Sequence, residues 1–161
     1  MSTFQNISPS AQRVQAALRE AGLDSQVVEL PSSTRTAKEA AQALQCEVAH
    51  IAKSLIFEGG HSHQAILVIA SGTNRVDEKL LEALAGEPIQ KASADFVREK
   101  TGFAIGGVSP VGHSEKPKTF LDQDLQSFPV LWAAAGTPHA VFKTTAQDLQ
   151  RMTGAAFVKI C

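Results

Sequence analysis

The sequence predicts a mixed α/β domain of the α+β kind, one mixed sheet with helices packed around it. Three observations carry this. Helical and extended patterns alternate irregularly along the chain, two pairs of apolar runs are joined by hairpin-length turns, and most helical stretches are bracketed by start and stop residues. The 161 residues fit one domain, residues 1–161, large enough to bury most of its apolar surface without disulfides.

Taken in order, the segment 9–21 (PSAQRVQAALREA) places Ala11, Val14, Leu18 and Ala21 at helical spacing. Ser8 is its N-cap, Pro9 its first residue and Gly22 its stop. A short strand follows at 26–30, then an alanine-rich helix at 36–45 with Ser33 or Thr34 as cap. Residues 50–59 (HIAKSLIFEG) and 65–71 (AILVIAS) read as strands joined by the turn GGHSH, a hairpin. An amphipathic helix spans 76–85 and ends at Gly86; another covers about 93–101, with Ser93 as cap and Gly102 as stop. A glycine-rich loop comes next. Strands at 129–135 and 139–144 pair across Gly-Thr-Pro, Thr145 opens a last helix ending at Gly154, and residues 155–161 close the chain as a strand.

Composition excludes several classes. Hydrophobic residues at 43% and charged residues at 19% describe a globular chain rather than a disordered one. No apolar run approaches the ~20 residues of a membrane span. The start MSTFQNISPSAQRV lacks a charged-then-apolar leader pattern, and Cys46 and Cys161 stand far apart, so a reducing cytoplasm with two free thiols is expected. A net charge of −1 argues against a protein coated in positive charge for nucleic acid, though not against a local basic site.

Two stretches invite chemistry. In IAKSLIF, Lys53 shares the parity of Ile51, Leu55 and Phe57, so a regular strand turns its ammonium toward an apolar face. There it must be paired, deprotonated or opposite an anion; the alternative is a bulge that lets it snorkel to water. In FAIGGVSPVGHSEKP (103–117), Gly106, Gly107 and Gly112 leave backbone N–H groups open to a ligand. Such groups cradle a phosphate or polarise a carbonyl, or else the loop is only a tight connection. It is neither GxxxxGK[ST] nor GxGxxG.

The remaining candidates are weaker. His61 and His63 in the GGHSH turn read as solvated, and the HxH pair has no further ligand nearby, so no metal is expected. His113 beside the loop and His139 after Gly-Thr-Pro line a pocket or serve structure. Ser109 and Ser71 lack a GxSxG elbow, and Cys46 has only His50 near it.

A lysine in an apolar strand, a hairpin, a helix, and then GGVSP followed by Gly-His resemble the YbaK/EbsC family, homologous to the editing (insertion) domain of bacterial prolyl-tRNA synthetases. IAKSLIF resembles the family's lysine strand, ASGTNRVDEKL its following strand and helix, AIGGVSPVGH its Gly-x-x-x-Pro loop from Gly106 to Pro110, and AGTPHAVFKTTAQDL its C-terminal strand pair and helix. The resemblance covers roughly residues 10–160. It implies a largely antiparallel, curved sheet, and a free-standing hydrolase that cuts the ester between a wrong amino acid and the terminal adenosine of tRNA, mostly tRNA for proline.

By that resemblance Lys53 is the essential lysine, and Gly106, Gly107, Ser109 and Pro110 belong to the loop at the scissile carbonyl. The ester is already activated, so positioning and charge stabilisation suffice, with the substrate's adjacent ribose hydroxyl or a held water attacking. Thr34, Val108, Gly112, His113, Gly136 and His139 are candidates for the substrate pocket, and Arg75, Lys79 and Lys116, with Lys118, for phosphates near the acceptor end. Alanine, serine, threonine and cysteine all remain open as the amino acid. The implied partners are the acceptor end of aminoacyl-tRNA and a synthetase; no cofactor and no membrane are expected. Two other classes compete: a non-catalytic module binding nucleotides or tRNA ends, and a serine or cysteine hydrolase of small esters.

Overall fold

In the computed structural model, residues 7–161 are described; the reading of the first six residues as lacking a leader lies outside them. The elements are α1 (Pro9–Glu20), β1 (Val27–Glu29), α2 (Ala37–Leu44), β2 (Ile51–Gly59), β3 (Ala65–Ser71), α3 (Glu78–Ala85), β4 (Ile89–Lys91), α4 (Ala94–Thr101), β5 (Lys118–Asp122), β6 (Leu131–Ala134), β7 (Ala140–Thr144), α5 (Ala146–Thr153) and β8 (Phe157–Val158). Short 3-10 helices precede β2 and follow β5.

One eight-stranded sheet runs in the order β1-β7-β6-β2-β3-β5-β8, with β4 added to β2. It is mixed and mostly antiparallel: β1–β7, β2–β3, β2–β4 and β6–β7 are antiparallel, whereas β2–β6, β3–β5 and β5–β8 are parallel. All seven residues of β3 are buried, as expected of a central strand covered on both faces. Leu67 and Ile69 join the main core with Val14 and Leu18 of α1, Val97 of α4 and Leu149 of α5. Ile66, Val68 and Ala70 turn to the opposite face, against Leu81 of α3. On that face α2 packs Ala40 and Ala41 on Ile51.

The helix signals act as the sequence suggests at Ser8, Ser93 and Thr145, whose hydroxyls accept first-turn N–H groups, and at Gly86, Gly102 and Gly154, each left-handed. The cap of α2 is corrected. Thr36 accepts the Glu39 N–H at 3.1 Å, while Thr34 is buried and donates to the Pro138 carbonyl at 3.0 Å. Helix α3 begins at Glu78 rather than 76, because Asp77 caps it. Strands β4 and β5 were not foreseen: KTFLD follows a long irregular stretch, and its pairing with β3 is a contact between distant segments. The expected closing strand contracts to Phe157–Val158.

Candidate active site

The cleft forms where the sheet splits. Strand β2 pairs with β3 over Ala52–Glu58. On its other edge β6 is paired only at Ile51 and Ala52, and β4 only at Phe57 to Gly59. Residues 53–56 therefore have no strand partner on that edge. The Gly59 N–H bonds to Gln64 O on the β3 side and the Gly60 N–H to Pro88 O on the β4 side. This phase turns the backbone groups of Ser54 and Ile56 into the gap.

A cleft of about 290 Å³ occupies the gap, and Thr34, Lys53, Gly106 and Val108, far apart in the chain, all line it. Lys53 lies opposite Ala70 on the face that carries both α2 and α3. The parity argument thus placed it on an apolar face, and its Nζ donates to the Gly72 carbonyl at 3.2 Å. Burial draws its pKa below the usual lysine value; Arg75 pushes the same way and Asp122 opposes both.

Gly72 is itself anchored. Asp122, 1% exposed, accepts the Ser71 N–H at 3.0 Å and the Asn74 side-chain amide at 2.8 Å. A Cβ on Gly72 would lie 2.2 Å from the Val48 carbonyl oxygen, so the turn is packed without room for a side chain. Asp122 and Asn74 were missed by the sequence reading, since nothing local marks a contact spanning 48 residues.

The glycine loop sits within residues 102–117, which carry no regular element. Its Gly107 N–H is bonded to the Ala104 carbonyl at 3.0 Å. The N–H groups of Ile105, Gly106 and Val108, three residues that line the cleft, have no hydrogen-bond partner among the described residues. Gly107 packs directly on the turn between β6 and β7: a Cβ there would come 2.8 Å from Thr137 backbone atoms. The same turn holds the segment after β1, through Leu30 N–H to His139 O and Thr34 N–H to Pro138 O, at 2.8 and 2.6 Å. One turn thus supports both the Thr34 wall and the loop wall.

The other candidates are placed apart from the cleft lining. Ser109 is fully buried; its hydroxyl accepts the Val111 N–H at 3.2 Å. Pro110, Gly112, His113 and Lys116 border a second depression behind the loop. Gly136 packs against Ser10 of α1. His139 is exposed on the turn, its Nδ1 3.1 Å from the Ser32 carbonyl oxygen. Arg75 and Lys79 are exposed around the start of α3, and Lys118 donates to the Ala85 carbonyl at 3.0 Å. Cleft residues without a sequence signal are Arg35, whose Cγ would lie 2.5 Å from a Cβ on Gly106, and Ile105 and Trp132. The lining includes no Cys, His, Asp or Glu. Among the described residues no three such side chains gather as a metal site, and no helix is long and apolar enough to cross a membrane.

Proteins of known sequence and structure match this chain. The solved structure of a proposed trans-editing enzyme for prolyl-tRNA synthetase superposes with a TM-score of 0.90 at 50% identity, over 96% of this chain and 98% of that one. YwhH of Bacillus subtilis is 30% identical over 86% of this chain and 88% of its own. EbsC of Enterococcus faecalis, a proposed Cys-tRNA(Pro)/Cys-tRNA(Cys) deacylase, is 22% identical over 78% of this chain and 76% of its own. The proline–tRNA ligase of Thermosipho melanesiensis is 36% identical over 51% of this chain, a stretch that spans 14% of the ligase. Residues 31–152, which include the lysine strand, the glycine loop and the β6–β7 turn, match the family profile, and the chain belongs to the aminoacyl-tRNA editing domain family.

Proposed function

We propose that this chain is a trans-editing deacylase. It hydrolyses the ester between a small amino acid, such as alanine, serine, threonine or cysteine, and the terminal adenosine of tRNA for proline. One observation carries the reading: Lys53 and the glycine-loop residues Gly106 and Val108 line one cleft, and no Cys, His, Asp or Glu lines it. Hydroxyls there sit on Thr34, Thr36 and Ser54; Thr34 donates to the Pro138 carbonyl, Thr36 is the α2 cap and donates to the Glu39 carboxylate, and no histidine lines the cleft to activate any of them, which disfavours a covalent serine route.

The chemistry then falls to the substrate. Attack by the vicinal ribose hydroxyl would only move the acyl group between ribose oxygens, so water is the hydrolytic nucleophile, and the ribose hydroxyl orients it and relays its proton. Water oxygen bonds to the ester carbon, the carbonyl oxygen becomes an oxyanion, and the ester C–O bond breaks. The ribose oxygen leaves with a proton, giving a free amino acid and an uncharged tRNA. The open N–H groups of Gly106 and Val108 stabilise the oxyanion. Lys53 binds the terminal phosphate or ribose, with Arg75 and Lys79 continuing the cationic surface toward the acceptor end. A cleft of about 290 Å³ is at the low end for small-molecule sites, which run about 300–1,000 Å³, and this favours a short side chain beside the ribose.

The test is a panel of purified tRNA for proline carrying alanine, serine, threonine or cysteine, run with wild type and Lys53→Ala. Turnover of one or two substrates that vanishes in folded Lys53→Ala is the expected result. Wild type that binds the acceptor end without turning over any of the four overturns the reading in favour of a binding module. An active Lys53→Ala removes the lysine from the mechanism.

A further inference from the structure

His113 is a histidine that the deacylation chemistry above does not use. It follows Gly112, whose φ of +83° reverses the chain so that the ring comes back under the loop. Its Nε2 lies 2.5 Å from the Ser109 carbonyl oxygen. A carbonyl only accepts, so Nε2 carries the proton and Nδ1 is the bare nitrogen. Nδ1 is buried and has no hydrogen-bond partner. A second proton there would create a buried donor with nothing to bond, close to the Arg13 guanidinium. Burial and Arg13 both hold the ring toward neutrality, against the bond to Ser109.

The ring is also fixed sideways. It meets Phe103 edge-on at 5.6 Å between centroids, and Arg13 stands over the Phe103 ring at 4.3 Å while donating to the Thr101 carbonyl. Both oxygens of Ser109 are thereby occupied: the hydroxyl accepts from Val111 N–H and the carbonyl from His113. The loop is thus clamped from two sides, by the Thr137 backbone against Gly107 and by the imidazole beneath Ser109.

We propose that His113 is a positioning residue for editing: its Nε2–H fixes the Val108–Pro110 end of the glycine loop, and through it the direction of the Val108 N–H at the cleft. The proposal rests on the deacylase reading for its kinetic consequence, but not for its geometry. A displaced oxyanion donor acts on the transition state more than on ground-state binding, so loss appears in kcat rather than KM.

The experiment uses His113→Leu, which removes the donor, and His113→Gln, whose side-chain amide places an N–H at about the reach of Nε2. In the wild type, ring nitrogen NMR without substrate is expected to show the neutral Nε2–H tautomer. His113→Leu should lose on the order of tenfold to a hundredfold in kcat with KM little changed, and His113→Gln should recover most of it. The amide resonances of Gly106, Gly107 and Val108 should move in His113→Leu and stay near wild type in His113→Gln. An Nδ1–H tautomer, or equal kcat and equal loop spectra for the two variants, overturns the proposal. If wild type shows no deacylation, the functional reading fails alone, and tautomer and loop resonances still decide the role of His113. If His113→Leu does not fold, His113→Gln and the wild-type tautomer decide it.

Discussion

Gly107→Ala tests whether the loop must sit tight on the β6–β7 turn. The added Cβ would stand 2.8 Å from the Thr137 Cα and carbonyl carbon, and 2.9 Å from its nitrogen. Ordinary contact begins near 3.4 Å, so loop and turn must part by the difference, about 0.6 Å. The obstacle is backbone on a tight turn closed by Ala135 N–H to Ala140 O at 2.8 Å, so no side-chain rotation relieves it. Overpacking of this kind costs about 1–3 kcal/mol, which for a chain this size lowers the melting temperature by about 3–10 °C. A shift of that size at groups aimed at a developing oxyanion should lower kcat by about tenfold to a hundredfold. Thermal melts and single-turnover deacylation read the two effects. Gly86→Ala is the control: its φ is +77°, yet nothing lies within 4 Å of the new Cβ. It should cost about 1 kcal/mol in backbone strain and leave kcat unchanged. Full activity in Gly107→Ala, at whatever stability, would refute the reasoning that the loop's seat on Thr137 sets the catalytic geometry.

Lys53→Met should abolish deacylation while keeping or raising the melting temperature, because burial disfavours the ammonium it removes; a marked loss of stability would show that the lysine serves the fold. Asp122→Ala should destabilise by about 2–4 kcal/mol and weaken activity together, since it frees the Ser71 and Asn74 donors that hold the Gly72 turn under Lys53; urea titration beside the deacylation assay checks both. Glu87 accepts from the Ser62 N–H, the Ser62 hydroxyl and the His61 N–H, which lower its pKa from 4.5 to about 2. A depressed carboxylate contributes stability above pH 4.5 that is lost as pH falls toward 2. The gap in melting temperature between wild type and Glu87→Gln should therefore close over that window, and a gap independent of pH would contradict the assignment.

What the sequence determined by itself was local. Helix starts at Ser8, Ser93 and Thr145 and stops at Gly86, Gly102 and Gly154 are satisfied within a turn of backbone, so neighbouring residues suffice to specify them. The two hairpins were legible for the same reason, and Lys53 was legible because strand parity fixes which way a side chain turns. The four motif segments in their order also carried the family resemblance, which the match over residues 31–152 bears out. Only the tertiary structure decided what lies beside Lys53. The cleft exists because β6 leaves β2 after two residues and β4 joins it only five residues later, a consequence of pairing between distant strands. Thr34 reaches the cleft because Pro138 holds it there, not because it caps a helix. His113, adjacent in sequence to the loop it supports, turns beneath that loop rather than into the cleft, and the choice belongs to Gly112, Phe103 and Arg13 packed around it. Short-range bonding writes itself into a sequence window; the position of a wall depends on packing summed over the whole sheet.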